Sequence, residues 1–454
     1  MAAADRLPNV VFVFSDQQRA DTLGCYGQGL EVTPNLDRMA AEGVRFANAF
    51  TPQPVCGPAR AILQTGKYAT ETGCFRNAIR LPADERTIAH DMADAGYDLA
   101  YLGKWHLASN SRRVRGVELP AEDFRTAPVP LDRRGGWNQY WLASDVLEAT
   151  SHSYDGYMHD ADGNKVEMTG YRADWQTDRA LDYLRTRAGQ DKPFFLFISY
   201  IEPHHQNDHK HFEGPRGSKE RFADFVIPGD LEDTDGDWRE EYPDYLGCCA
   251  SLDANLGRLR DELERLSLAD NTLVIYTSDH GCHFRTRNGE YKRSCHDGTL
   301  HVPLVACGPG FTGGEVIDDL VSLIDLPPTI LAAGGVPTPG RMRGRPLQSL
   351  VDGTADEWRD DVFVQISESH VGRALRTARW TYSVRAPEAS GTEDPDSAVY
   401  VEDFLYDNDA DPDQRNNLVA DPALVFIRAD LADRLIRRMT EAGEAAPEIK
   451  PAEA

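Results

Sequence analysis

Apolar, β-branched runs alternate along this chain with amphipathic helical patterns, and that alternation limits the fold more than anything else. The strand-like runs are residues 10–14, 97–102, 194–200, 272–277 and 302–307. Between or after them, residues 35–42, 87–95, 175–188, 242–266 and 325–333 repeat apolar side chains at helical spacing. Strands separated by helices predict a large, mostly parallel sheet with helices on both faces. The pattern changes after residue 353. Short strands over 361–405 and an amphipathic helix over 424–442 predict a smaller α+β subdomain with a short antiparallel sheet, which divides the chain into 1–353 and 354–454. The 454 residues suffice for one large α/β unit and one small one.

In doubly wound sheets, ligands gather at the carboxyl ends of the strands, so the polar residues just past each run deserve inspection. Asp16-Gln17 follows the first run. Gly103-Lys104-Trp105-His106 follows the second, Glu202-Pro203-His204-His205 the third, and Ser278-Asp279-His280-Gly281 the fourth. Lys292 comes thirteen residues after Asp279. Asp16, Gln17, Asp279 and His280 offer two carboxylates, an amide oxygen and an imidazole, a donor set for a hard divalent cation rather than zinc. Arg60, Lys104, His106, His204 and Lys292 are cationic or protonatable and suit a tetrahedral oxyanion ester. A lone Asp after a strand is often a helix cap, and Asp-His-Gly alone is a turn; four strand ends bearing such residues together carry the case. His205, His209 and His211 read as solvated loop residues, and adjacent Cys248 and Cys249 as packing residues on a helix.

The stretch PVCGPARAILQTG, residues 54–66, raises a separate question. Pro58 fits a first helical turn, residues 59–64 are mostly good helix formers, and Gly66 can cap the C-terminus. Cys56 therefore sits at a helix N-terminus, where free N–H groups favour an anion and lower a thiol pKa. Arg60 adds a fixed charge one turn on. This spacing alone does not separate an anion site from a buried structural cysteine.

The net charge of −26 disfavours nucleic acid and anionic membranes as partners, since both want a basic face. No run is long enough to span a bilayer. The eight cysteines form no CxxC pair or zinc-ribbon spacing, and the first residues lack a signal-peptide pattern, so the expectation is a reduced, cytoplasmic protein. Residues 107–170 are loop-rich, with Arg112, Arg113, Arg115, Trp137, Tyr140, Trp141 and Tyr154, and read as a pocket wall or as plain surface. Residues 206–241 form another polar insertion.

Taken together these segments resemble a formylglycine-dependent sulfatase of the alkaline phosphatase superfamily. The resemblance runs through DQQRADTLGCYG (16–27), TPNLDRMAAEGVRFANAF (33–50), CGPARAILQTG (56–66), LGKWHL (102–107) and PFFLFISYIEPH (193–204). It continues through SLDANLGRL (251–259), VIYTSDHG (274–281), VPLVACGPG (302–310) and FLYDNDADPDQRNNL (404–418). It implies that a maturation enzyme, reading Pro58 and Arg60, oxidises Cys56 to formylglycine (3-oxoalanine). The hydrated aldehyde would attack sulfur with one hydroxyl and use the other to expel sulfate, a turnover that serine or cysteine could not complete. By the same resemblance Asp16, Gln17, Asp279, His280 and residue 56 hold the metal, and Arg60 steadies the nucleophile. Lys104 and Lys292 hold sulfate oxygens, His204 protonates the leaving alcohol, and His106 is the base that promotes collapse of the intermediate.

Two departures stand out. Many relatives have two aspartates where this chain has Asp16-Gln17; the lost charge leaves Ca²⁺ as the first expectation, with Mn²⁺ or Mg²⁺ as alternatives. The Asp-Gln form also resembles the branch that holds phosphonate monoester hydrolases, so phosphonate monoester or phosphodiester hydrolysis is the alternative to sulfate ester hydrolysis. His301 stands where many relatives have Arg. The expected substrate is a small or oligosaccharide sulfate ester, with Asn77, Arg80, His283, Arg285 and Arg287 as candidates to face the leaving group. Arg285 and Arg287 would suit a uronate or second sulfate. A binding protein that keeps the fold without turnover is the reading from another class.

Overall fold

The structure, a computed structural model, describes residues 6–110 and 123–452. Arg112, Arg113 and Arg115 lie outside the described residues. Ten strands form the main sheet: β1 (Asn9–Asp16), β2 (Val44–Phe50), β3 (Asp98–Lys104), β4 (Tyr140–Ser144), β5 (Tyr157–Asp160), β6 (Lys165–Glu167), β7 (Phe194–Pro203), β8 (Thr272–Ser278), β9 (Leu304–Cys307) and β10 (Glu315–Ser322). Their order is β10-β2-β9-β8-β1-β7-β3-β4-β5-β6. The central four, β8-β1-β7-β3, are all parallel. β9, expected as one more strand of the parallel set, runs antiparallel to both β8 and β2. No periodicity argument could show that direction, because side-chain alternation is the same either way.

β1 shows why the strands read as continuous apolar runs. Val10, Phe12 and Phe14 face one hydrophobic cluster and Val11 and Val13 the other, all five at most 1% exposed. A strand buried on both faces has no polar side to alternate with. Helices Pro34–Glu42, Arg172–Arg187 and Trp238–Arg265 pack on one face, with Leu36, Trp175, Leu252 and Leu256 in that layer. Cys248 and Cys249 lie buried on the last of these. Helices Cys56–Thr65, Ile88–Asp94 and Leu326–Ala333 cover the other. Gly103 marks the tightest strand contact: at φ +106° it lies so close to β7 that a Cβ would stand 1.9 Å from the Ser199 carbonyl oxygen.

The segment expected to be irregular over 107–170 contains β4–β6, and its tryptophans are core residues. Trp141 stacks on Tyr101, and Trp137 meets Tyr101 and Phe197 edge-on. The 206–241 insertion packs Phe212, Phe222, Leu231 and Trp238 into a small core shared with Tyr242, Tyr245, Cys282, Phe284 and Tyr291.

The second sheet contains β11 (Asp361–Ile366), β12 (Val371–Thr377), β13 (Trp380–Ala386), β14 (Val399–Asp407) and β15 (Glu448–Lys450). It is antiparallel except for the β14–β15 pair. Helix Val425–Glu441 lays Leu431, Leu435 and Met439 onto it. Among the described residues no helix is long and apolar enough to cross a membrane.

Candidate active site

The carboxyl ends of four adjacent parallel strands meet at one edge of the main sheet, and each delivers a polar group there. β1 ends at Asp16, β3 at Lys104, β7 just before His204, and β8 just before Asp279 and His280. Cys56 opens the helix Cys56–Thr65, which starts six residues after β2 and is closed by Gly66 at φ 71°. Its Sγ stands 3.3 Å from Asp16 Oδ1 and 3.3 Å from His280 Nε2. Lys292 Nζ lies 2.8 Å from that sulfur, 3.1 Å from His280 Nε2 and 3.4 Å from His204 Nε2. Three residues distant in sequence, Asp16, His280 and Lys292, thus meet at the one cysteine, with His204 one contact further out.

Arg60 and Lys104 anchor the carboxylates from behind. Arg60 donates to Asp16 Oδ2 at 2.9 Å, to Ser199 Oγ at 2.6 Å and to the Lys104 carbonyl at 3.0 Å, with its guanidinium over Phe14. Lys104 Nζ is 2.9 Å from Asp16 Oδ2 and 3.2 Å from Glu148 Oε1. Gln17 adopts φ 74°, a left-handed conformation tied down at both ends: its N–H donates to Asp279 Oδ1, and its carbonyl accepts from Tyr245. His106 is also left-handed, at φ 61°, with its N–H donating to the Asp145 carbonyl.

This crowding of charge sets the protonation states. Burial opposes ionisation of Asp16, but the charges of Lys104, Arg60 and Lys292 outweigh it and hold the carboxyl well below its usual range. Burial beside ionised Asp16 pushes Asp279 up to about 7. Burial and Asp16 would raise the Cys56 thiol, yet Lys292, Lys104 and His280 bring it down to about 7. Burial and then the Lys292 ammonium drive His204 well below the ordinary imidazole value, and burial and Lys104 take His106 down to about 4. Glu148 is brought down to about 2, chiefly by Lys104 working against burial.

The donor set fits one hard divalent cation. Ligating atoms of Asp16, Cys56, Asp279 and His280, all buried, lie within 4.8 Å of one another. Gln17 Oε1 and Asp279 Oδ2 are buried without a hydrogen-bond partner, an arrangement that costs free energy unless something electropositive meets them.

A cavity of about 240 Å³ opens onto Cys56, and Asn77, His106, His204 and Lys292 line it. Asn77 also accepts from the Gly57 N–H at 2.8 Å, which fixes the first turn of the cysteine helix. The other leaving-group candidates lie elsewhere. Arg287 donates to the Asp413 and Gln414 carbonyls and stitches the two sheets' loops together. His283 is fully buried on the Lys292 carbonyl. Arg285 stacks on Tyr291 and faces Asp237. Neither Arg285 nor Arg80 lines the cavity, whose wall carries Arg125 and Arg293 instead. Nearness in sequence to Asp279 does not place these residues at the site, because the 281–292 loop turns through residues of positive φ at Phe284 and Arg285. His205, expected in solvent, packs between His204 and Tyr291 and lines the cavity. His301 stacks on Phe50 and meets the Ala47 carbonyl. Glu148, Ser199 and Asp145 were not foreseen; only their place after β4 and within β7 could have drawn attention to them.

The sulfatase family model matches residues 8–336, and a model of the N-sulphoglucosamine sulphohydrolase C-terminal region matches residues 289–441. An ulvan-active sulfatase of Formosa agariphila is 30% identical over 96% of this chain and 82% of its own. A protein solved in complex with its substrate D-glucosamine-2-N,6-O-disulfate superposes with a TM-score of 0.75 at 22% identity, over 97% of this chain and 99% of that one. A phosphonate monoester hydrolase from Silicibacter pomeroyi superposes at 0.70 with 25% identity, over 96% of each chain.

Proposed function

The chain belongs to the sulfatase family and hydrolyses sulfate esters, and from that premise we propose that its substrate is a sulfated carbohydrate, cleaved with residue 56 as formylglycine beside one divalent cation. The observation that carries this reading is the meeting of Cys56 with Asp16, Asp279 and His280 under the Lys292 ammonium. Similarity to an ulvan-active sulfatase supports a carbohydrate ester, and the polar wall of the cavity suits one. Oxygen donors from Asp16, Gln17 and Asp279, with His280, favour Ca²⁺, Mn²⁺ or Mg²⁺. When bound, the cation supplies Lewis acidity, and the aldehyde form of residue 56 supplies the oxygen nucleophile.

The chain's own groups do the rest. Lys292 Nζ, 2.8 Å from Cys56 Sγ, is placed to hold the oxygens of a sulfate group and to stabilise charge that grows on them, and Lys104, on Asp16 Oδ2, adds its positive charge from behind the carboxylates. The Nδ1–H of neutral His204 donates to the His205 carbonyl at 2.6 Å, which leaves Nε2 as a lone pair facing Lys292. An incoming sulfate raises the proton affinity of that imidazole, so His204 becomes able to protonate the leaving alcohol as the ester binds. His106, neutral and with Nδ1 unpartnered, lines the same cavity as a proton acceptor. Arg60 holds Asp16 ionised and fixed.

Cys56 is 1% and Arg60 3% exposed, so the maturation enzyme in this proposal must read the segment before the chain folds. A cytoplasmic location belongs to the same proposal, and eight free cysteines suit a reducing compartment. Gln17 supports the second reading, phosphonate monoester or phosphodiester hydrolysis at the same site.

The deciding experiment is mass spectrometry of the tryptic peptide spanning residues 46–60, from a host with the maturation enzyme, followed by rates on sulfated oligosaccharides, nitrophenyl sulfate and phenyl phosphonate esters. Oxygen in place of the Cys56 thiol and faster turnover of the sugar sulfates are expected. An unmodified thiol in active protein overturns the formylglycine step, and preference for the phosphonate overturns the substrate.

A further inference from the structure

Three histidines and two carboxylates gather at the rim of the cavity, outside the catalytic centre. The loop after β7 reads HHQNDHKHFE over residues 204–213, and His152 reaches it from the segment after β4. Two groups of ligating atoms lie within 4.8 Å of one another: His152 with Asp208 and His209, and His209 with His211 and Glu213. His209 belongs to both. The His152 and His209 rings stack at 4.7 Å with 3° between their planes, and His209 stacks on His211 at 5.8 Å. His152 Nε2 is 2.9 Å from Asp208 Oδ2, and His209 Nδ1 hydrogen-bonds Glu213 Oε1.

The groups behind these atoms orient them as ligands are usually oriented. Metal-bound histidines generally engage their second nitrogen with a carboxylate or a carbonyl. His152 Nδ1 is 3.1 Å from Asp155 Oδ1, and His211 Nδ1 is 3.1 Å from the Phe212 carbonyl, which leaves Nε2 of each ring turned toward the cluster. Glu213 Oε2 accepts from Ser153 Oγ at 2.6 Å, leaving Oε1 toward the histidines. Asp208 Oδ1 accepts from Gln206 Nε2 at 2.9 Å, leaving Oδ2 toward His152.

The geometry points to a second metal site centred on His209, in one of the two triads it shares, with His152 and Asp208 or with His211 and Glu213, for a late divalent transition ion of the zinc class. Imidazole-rich, carboxylate-completed sets select zinc, nickel or copper over calcium, the opposite preference to the oxygen-rich catalytic centre. Within each triad the ligand atoms already lie within 4.8 Å of one another, and the stacked rings turn out of their parallel planes to point their lone pairs at one ion at about 2 Å. Bound in the first triad, the ion joins the His152 segment to the 205–213 loop. That loop carries His205 and Asn207, both in the cavity wall, and Gln206, which donates to the Glu148 and Ser151 carbonyls. The ion therefore braces one side of the substrate entrance without touching the reacting atoms.

Zinc calorimetry on the full chain at pH 7.5 tests this, comparing the wild type with His209→Ala and with the double variant His152→Gln/His211→Gln. The wild type should take one zinc equivalent more than either variant, or bind that equivalent on the order of 100-fold more tightly. Zinc should also raise the wild-type unfolding temperature more than that of the variants. These side chains are 39–49% exposed at the histidines, so both variants should fold and turn over nitrophenyl sulfate with the catalytic cation present. Equal zinc stoichiometry and affinity in all three proteins overturns the site, as does a wild type whose only zinc equivalent is lost on replacing Asp279.

Discussion

Replacing Glu444 with Gln should lower the unfolding temperature by several degrees and leave catalysis at 25 °C intact. Glu444 follows helix Val425–Glu441, and its carboxylate receives Arg373 Nε at 3.0 and 2.8 Å. The two side chains are 2% and 1% exposed. The remaining Arg373 donors go to the Gly372 and Pro395 carbonyls, and Glu444 Oε1 also accepts from Gln365 Nε2 at 2.6 Å. Gln365 in turn accepts the Ala69 N–H and donates its backbone N–H to the Pro52 carbonyl, on either side of the Cys56 helix. Removing one charge strands the other in a dry interior, which costs about 3–5 kcal/mol. Unfolding entropy of about 2.1 cal/mol/K per residue makes about 1 kcal/mol per degree for a chain this size, hence a fall of about 3–5 °C. Scanning calorimetry reads this directly. The double variant Arg373→Met/Glu444→Met should recover most of the loss, because no charge is left unpaired. A fall below about 1 °C for Glu444→Gln, or a double variant worse than the single, would refute the reasoning.

Three further outcomes follow from the same geometry. Lys292→Ala should cut kcat by about 10²–10³ with a smaller change in KM, as for loss of one charge-stabilising donor; steady-state rates on nitrophenyl sulfate check it, and an unchanged kcat contradicts the role given to Lys292. Gly103→Ala should yield little folded protein at 37 °C, since its Cβ meets the Ser199 carbonyl and its φ is +106°; a soluble variant with wild-type melting contradicts the close approach of β3 to β7. Burial pushes His283 down to about 3, so the unfolded chain takes up that proton first. Its contribution is intact above about pH 6.5 and is lost as pH falls toward 3, at about 1.4 kcal/mol per unit; urea titrations at pH 7, 5 and 4 should show His283→Gln with a flatter decline than wild type, and parallel declines would remove His283 from the account.

Local order was written plainly in the chain. The apolar runs at 10–14, 194–200 and 272–277 became β1, β7 and β8 because a strand buried on both faces must be apolar throughout. Pro58 and Gly66 bounded the cysteine helix as their backbone preferences require. Asp16, Lys104, His204, Asp279 and His280 could be picked out because strand ends in such sheets face the ligand, whatever the strand order.

What needed three dimensions was everything set by which segments become neighbours. The order β8-β1-β7-β3 brings those five residues to one point, and no pattern within a strand encodes its partner. Glu148 reaches Lys104 across a gap of 44 residues, and Ser199 reaches Arg60 across 139. Arg287 and His283 sat close to Asp279 in sequence yet were turned away by the loop's left-handed residues, one to bind the second sheet's loop and the other into the interior. Side-chain period and capping act over a few residues and survive in the sequence; burial, charge pairing and pKa act through space, and only the folded chain decides them.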